Sequence, residues 1–524
     1  MKITDIKSLN SLGVETPKFD EDKMKQKTME APNWIHFGGG NIFRAFPAVM
    51  QQNLLNNGFS EKGIIVVEGF DYEIIEKVFR PNENKSLVVT LKANGEITHT
   101  LVGSIAESYT MKENDMQLLL RLVSSQSLQM FSFTITEKGY DINNDLVKRD
   151  VEQPIEKAKS YLGKIVYLLY NRFINGAFPI ALVSMDNMSR NGEVLRDSLV
   201  TIAEKWKDNG FVSQDFVNYL EDEDIVSFPW SMIDKITPRP DSVIAEDLAK
   251  MGIENIRPIT TSKLTYTAPF VNAEETEYLV IEDNFPNGRP PLEKSGVIFT
   301  DRKTVNQVET MKVTTCLNPL HTSLAVFGCL LGYDKIYEEM KDPDLIALVE
   351  GVGYVEGLPV VVDPKIIDPK EFIDEVINIR FINPFIPDSP QRIATDTSQK
   401  IGIRYMETIK SYLKQGKSVA NLKYIPLSIA GWLRYLVGID DLGNEFELSP
   451  DPLLSDLLEI IRDVKIGMNI DYSKVVRSIL DIESIFKLDL YEIGLGDKIN
   501  IYFHEMLMGP GAVRKTLNKY VGSD

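Results

Sequence analysis

From residue 33 the chain alternates short, continuous apolar runs with longer stretches in which apolar residues recur every three or four positions. The runs WIHF, IIVV, LQMFSFTI and PIALVSM have the length and β-branched or aromatic content of strands buried on both faces. Between them, helical spacing appears after residue 41, near 112–124, near 152–173, at 193–208 and at 213–221. Strand and helix in alternation over roughly 250 residues predict an α/β domain with a doubly wound parallel sheet, whose ligands bind at the strand carboxyl ends.

Residues 86–109 alternate around Ala-Asn-Gly-Glu96 and predict a hairpin. SFPWSMIDKITPRP carries the prolines and polar residues of a surface loop, and 264–285 adds strand-like material. Pro286-Asn-Gly-Arg-Pro-Pro291 is dense in turn formers and reads as a linker. Beyond it the periodicity is almost entirely helical. The expected organisation is an N-terminal arm over 1–32, an α/β domain over 33–287 and a mostly α-helical domain over 288–524.

Composition narrows the function classes. The 524 residues exceed one ordinary domain, and 43% apolar with 25% charged residues is usual for a globular enzyme. Acidic residues number 76 against 57 basic ones, a net charge of −19 that argues against nucleic acid or an anionic membrane surface as partner. An anionic substrate therefore needs a local basic pocket. Two cysteines outside any CxxC pair fit a reducing, cytoplasmic setting, and four scattered histidines form no zinc motif, so metal-free chemistry is expected. The N-terminus lacks a signal-peptide core, and no uninterrupted apolar run approaches 18 residues.

Three stretches carry candidate chemistry. The first apolar run enters Gly38-Gly-Gly40 and then a helical segment, so backbone N–H groups can approach a pyrophosphate, with Arg44 one turn on adding positive charge. Phe43 stands where GxGxxG has its third glycine, which leaves an ordinary βα turn as the alternative. Glu68 closes the next strand, where an acid suits the ribose hydroxyls of NAD and repels the 2′-phosphate of NADP, or caps the following helix. Asn187 follows the strand PIALVSM, at a strand carboxyl end, as turn former or ligand.

The densest stretch is Met311–Leu324, where Lys312, Asn318 and His321 fall within ten residues. A proton acceptor, an amide able to hold an alkoxide and an imidazole able to orient a hydroxyl suit alcohol oxidation or ketone reduction. In isolation, Lys312 is more often a solvated helix lysine, Asn318-Pro319 a helix cap, and His321 a core histidine.

Taken in order, GGGNIFRAF, TEKGY, SMDNMSRNG, MIDKITPRP, YLVIEDNFPNGRPP, MKVTTCLNPLH and RIATDTSQK resemble the polyol-specific long-chain dehydrogenases, the mannitol dehydrogenase family. TEKGY and IEDNFPNGRPP look most like its hexuronate branch, the fructuronate reductases or mannonate oxidoreductases. The resemblance implies a Rossmann-like N-terminal domain, a helical C-terminal domain, NAD and no zinc. It makes Lys312 the general base, Asn318 and His321 its Asn-x-x-His partners, and Asn187 a second amide on the substrate oxygen. Arg392 and Lys400 match residues that face the substrate, and suit the carboxylate of a uronate. The implied activity is reduction of a keto-uronate such as fructuronate to an aldonate such as mannonate, and the reverse, by a monomer or dimer. A mannitol or arabinitol dehydrogenase and a non-catalytic nucleotide-binding regulator are the alternatives.

One spacing departs from the family, which places lysine five residues before the asparagine; here the interval is six. In a regular helix this turns Lys312 about 180° from His321, instead of about 80°. The sequence therefore predicts a break or π-bulge between Lys312 and Asn318, near Pro319.

Overall fold

The computed structural model describes residues 1–522, and the chain divides into two compact units, Met1–Asn306 and a second that starts at Gln307. The expected linker at 286–291 does not mark this division. Strand Ile298–Thr300 pairs in parallel with Tyr278–Glu282 and draws the intervening residues into the first unit.

In the first unit, β1 (Trp34–Phe37), β2 (Ile64–Glu68), β3 (Ile105–Thr110), β4 (Met130–Phe133), β5 (Ile180–Ser184) and β6 (Val226–Ser227) form one sheet in the order β3-β2-β1-β4-β5-β6. Every pairing in it is parallel. This is the Rossmann strand order, with a switch point between β1 and β4. Alternate residues feed opposite cores: Ile35, Phe37, Ile65 and Val67 pack on one face, Trp34, Ile64 and Val66 on the other. Burial of both faces explains why the strands read as unbroken apolar runs, each fully buried side chain contributing about 1.5–3 kcal/mol.

His36 belongs to this core. Its ring stacks on Phe43 at 4.0 Å, its nitrogens meet Ser132 and Thr134 hydroxyls at 2.7 and 3.0 Å, and burial drives its pKa down to about 3.

The expected hairpin forms between Ser86–Leu91 and Ile97–Val102, and the chain then enters β3 of the main sheet. SFPWSMIDKITPRP is not wholly a surface loop: Ser231–Asp234 is a buried strand antiparallel to Tyr278–Glu282. Its flanking prolines mask a four-residue strand whose pairing partner lies some 45 residues away. Helices Ile6–Ser11 and Glu21–Glu30 make up half of the N-terminal arm, which is tied down by Met1 to the Gly252 carbonyl at 2.6 Å and Lys18 N–H to Asn56 at 2.8 Å.

The second unit is helical, and its described residues include no strand pairing beyond an isolated bridge between Ile439 and Glu445. The run Arg302–Leu331 is long and apolar enough to cross a membrane by composition, but 78% of its apolar window is buried in protein, as in a core helix.

Candidate active site

At the switch point of the first unit, Gly38 leaves β1 with φ +118°, and a Cβ there would sit 2.9 Å from the Thr134 carbonyl beyond β4. Only glycine fits that conformation and that approach. Gly40 has open space where a Cβ would point, and it caps helix α1 (Asn41–Ala45) in extended conformation with no side-chain hydrogen bond. The N–H groups of the first helical turn have no intrahelical acceptor. Such an opening could serve as a backbone cradle for phosphate oxygens.

Arg44 and Glu68 border the cradle with tasks that the sequence did not disclose. Arg44 is fully buried; it donates to the Ala268 carbonyl at 2.7 Å, to Asn41 Oδ1 at 2.8 Å and to Thr267 Oγ1 at 3.2 Å. Its positive charge remains near the turn, but two of its guanidinium nitrogens are spent joining α1 to residues 267–268. Glu68 accepts N–H groups from Gly39 at 2.8 Å, Phe70 at 2.9 Å and Asp71 at 3.1 Å. Burial pushes its pKa up, and the three backbone donors pull against that shift. The carboxylate thus ties the loop after β1 to the loop after β2.

Asn187 lies three residues past β5 and is exposed. The residue before it is better fixed: Asp186 accepts from the Tyr140 hydroxyl and from Met188 N–H at 3.0 Å, and burial lifts its pKa to about 6. Tyr140 is the tyrosine of TEKGY, and its hydroxyl oxygen accepts from the Ser184 hydroxyl at 2.9 Å.

Helix α2 (Arg302–Met311), which begins in the first unit, passes in the second into a π-turn over Lys312–Cys316 before helix α3 (Asn318–Leu331) begins. Leu317 N–H reaches back to the Lys312 carbonyl at 3.1 Å, five residues away, and Leu317 itself leaves helical geometry at φ −127°, ψ −61°. The expected bulge is therefore present at the expected place. A π-turn takes one residue more than an α-turn for the same advance, so the six-residue interval spans what five residues span in a regular helix. Pro319 sits in the first turn of α3, where its missing N–H costs nothing. The Asn318 carboxamide, half-buried at that turn, has no hydrogen-bond partner among the described residues.

His321 is one turn further on, with its side chain 16% exposed and its ring 5.1 Å from Phe381. Its Nε2 lies 3.4 Å from Asp388 Oδ2 but lacks a hydrogen-bond partner. Burial first, and then the positive charges of Arg404, Arg392, Arg380 and Lys400, lower its pKa to about 3. The neighbouring carboxylate pulls the other way and is outweighed. His321 is thus a neutral imidazole among four cations.

Arg392 and Lys400 are accordingly brought together with His321. Arg392, on the short helix α4 (Pro390–Ile393), is 62% exposed and donates to Asp388. Lys400, on α5 (Thr397–Arg404), donates to the Thr395 carbonyl; burial and then Arg404 lower its pKa. The sequence reading missed Arg404, Arg380 and Asp388. Arg404 was within reach of a helical-spacing argument, since it follows Lys400 by four residues on one helix face. Asp388 had a similar signal, four residues before Arg392.

Comparison with known proteins agrees with this fold. The mannitol dehydrogenase Rossmann domain matches residues 32–294 and the mannitol dehydrogenase C-terminal domain matches 304–501. D-mannonate oxidoreductase of Thermotoga maritima is 51% identical over 533 residues, covering 100% of this chain and 98% of that protein. The substrate-free crystal structure of a D-sorbitol dehydrogenase superposes with a TM-score of 0.80 at 24% identity, covering 96% of this chain and 97% of the other. The ternary complex of Pseudomonas fluorescens mannitol 2-dehydrogenase with NAD and D-mannitol gives 0.72 at 24% identity, with each chain covered completely.

Proposed function

The chain belongs to the mannitol dehydrogenase family, with both of the family's domains present, and from that premise we propose that it interconverts D-mannonate and fructuronate with NAD. The observation that carries the substrate class is the group of four cations around His321, set in a chain of net charge −19. A neutral polyol needs no such concentration of positive charge, and a sugar acid does. The full-length likeness to a D-mannonate oxidoreductase supports the same choice.

The residues at the β1 switch point fit a dinucleotide. Gly38 and Gly40 leave the backbone open to phosphate oxygens, and the acid at the end of β2 disfavours a 2′-phosphate, which selects NAD over NADP. Bound NAD supplies the hydride acceptor for alcohol oxidation and, when reduced, the donor for ketone reduction.

In the second unit, Lys312 takes the proton from the oxygen of the hydroxyl that is oxidised and returns it to that oxygen in the reverse direction. Asn318 donates its unpartnered amide to the same oxygen as negative charge develops there; such a donor contributes about 3–4 kcal/mol in other enzymes. Neutral His321 accepts from or donates to a neighbouring substrate hydroxyl, which fixes the sugar against rotation.

The test follows NADH absorbance with fructuronate, tagaturonate, fructose and mannitol. Turnover of fructuronate in preference to the neutral sugars is expected. Preference for mannitol and fructose would replace this reading with a polyol dehydrogenase, and NADH binding without turnover of any substrate would favour a regulatory protein. Lys312→Ala is expected to lower kcat by about 10²- to 10⁴-fold while NADH still binds.

A further inference from the structure

Among the described residues, Arg44, Arg172, Arg404 and Arg434 each carry a guanidinium group largely withdrawn from water, and Arg44, Arg172 and Arg434 are fully or substantially paired by the protein. Arg172 has five hydrogen bonds, to the carbonyls of Val123, Ser125, Leu128, Phe178 and Pro179. Arg434 is held by the carbonyls of Met506, Ile439 and Asp440. Arg44 has the three acceptors given above. Burial depresses the pKa of Arg172, Arg434 and Arg404 alike to about 10, so their desolvation is comparable.

Arg404 is different. Among the described residues its one hydrogen bond goes from Nη1 to the Thr322 hydroxyl, and no carboxylate lies within ion-pair distance of it. Its remaining nitrogens are not completely buried, so they keep some access to solvent. Asp388 is already committed, since it holds Arg392 and stands beside His321. Lys400 precedes Arg404 by one helical turn, which places two like charges side by side on α5. A desolvated cation without a counter-charge, next to a second cation, is costly unless an anion arrives to meet it.

We propose that Arg404 is the residue that binds the carboxylate of the substrate, in a subsite completed by Lys400. This rests on the sugar-acid reading above and names the group that enforces it, in preference to Arg392, whose exposed guanidinium is engaged by Asp388. Thr322 also donates to the Asn318 carbonyl at 2.9 Å, so the Arg404–Thr322 contact seats the guanidinium on the turn of α3 that carries Asn318 and His321. The carboxylate at one end of the sugar and the reacting carbon are thereby held from the same helical turn.

The experiment compares wild type, Arg404→Met and Arg404→Lys in the full-length protein. It measures kcat/KM for fructuronate and for fructose, which has CH2OH in place of the carboxylate, and melting temperature with and without mannonate. In Arg404→Met the ratio of fructuronate to fructose kcat/KM should fall about 10- to 100-fold, mostly through KM, and Arg404→Lys should recover part of it. Without ligand, Arg404→Met should melt at or above the wild-type temperature, because an uncompensated charge has been removed, and the upward shift that mannonate gives to wild type should vanish. Equal losses on both substrates, or a mannonate shift that persists in Arg404→Met, would overturn the proposal. If wild type turns over neutral sugars only, yet mannonate stabilises it through Arg404, the subsite stands and the keto-uronate reaction falls. If fructuronate is reduced equally well by wild type and Arg404→Met, the reaction stands and the subsite falls.

Discussion

His321 Nε2 stands 3.4 Å from Asp388 Oδ2 without the alignment of a hydrogen bond, so a carboxylate at close range fails to charge the imidazole beside it. The same carboxylate is drawn toward Arg392 through its other oxygen, and the cations around His321 outweigh what remains. The folded-state pKa of about 3 lies below the usual 6.5, so under acid conditions the unfolded chain binds a proton that the native protein refuses. The stability associated with this histidine is present above pH 6.5 and is lost as the pH falls toward 3, at up to about 1.4 kcal/mol per pH unit. Urea denaturation at pH 7, 6 and 5 should show a shallower decline for His321→Gln than for wild type. Identical slopes would mean that His321 titrates normally.

The π-turn predicts an asymmetry between deletion and insertion. Removing Val313 shortens the Lys312–Asn318 interval to five, which a regular α-helix can carry with Lys312 still on its present face. Activity within about tenfold of wild type is expected, since most of the geometry is retained. Inserting one alanine after Val313 instead rotates Lys312 by about 100° and should abolish turnover. Steady-state kinetics with circular dichroism to verify folding would check both, and a dead deletion variant with a live insertion variant would contradict the assignment.

Gly38→Ala tests the cradle. The new methyl group would meet the Thr134 carbonyl at 2.9 Å in a backbone conformation that L-residues rarely adopt. A stability loss of at least about 1 kcal/mol is expected, with NADH affinity reduced more than tenfold as the turn shifts. Fluorescence titration with NADH would measure it. Normal affinity would mean that the cofactor does not depend on this turn.

Glu339 offers a cleaner pH signal. Neither of its carboxylate oxygens has a partner, it is fully buried against Gly328 and Pro390, and burial raises its pKa well above the usual 4.5. The native protein therefore keeps a proton that the unfolded chain releases, and this group makes stability fall as pH rises from about 4.5 to its folded-state value. Glu339→Gln should be nearly as stable as wild type at pH 4.5 and more stable at pH 7. Thermal melts of the two proteins across that range would show it, and parallel curves would rule it out.

The sequence disclosed the architecture because both faces of the main sheet are covered, which leaves unbroken apolar runs at each strand. It disclosed the π-turn because a helical phase can be computed from spacing alone. It did not disclose Ser231–Asp234 as a strand, since the pairing that makes it one is long-range and prolines surround it. Nor did it disclose what Arg44, Glu68 and Arg404 do. An arginine reads identically in sequence whether its donors end on carbonyls, as in Arg172, or remain available, as in Arg404; only the path of distant backbone separates them.

Among the described residues four segments adopt π-helical turns: Ile75–Phe79, Lys312–Cys316, Gly351–Gly357 and Val376–Arg380. A helix that can take up an additional residue in one loose turn tolerates a change of length without rotating everything beyond it. Counting residues between functional groups is therefore a poor ruler in such a protein. Two homologues can differ in every interval of their motif and still present the same side chains on the same face, so a search for relatives by helical phase should find members that a search by fixed spacing rejects.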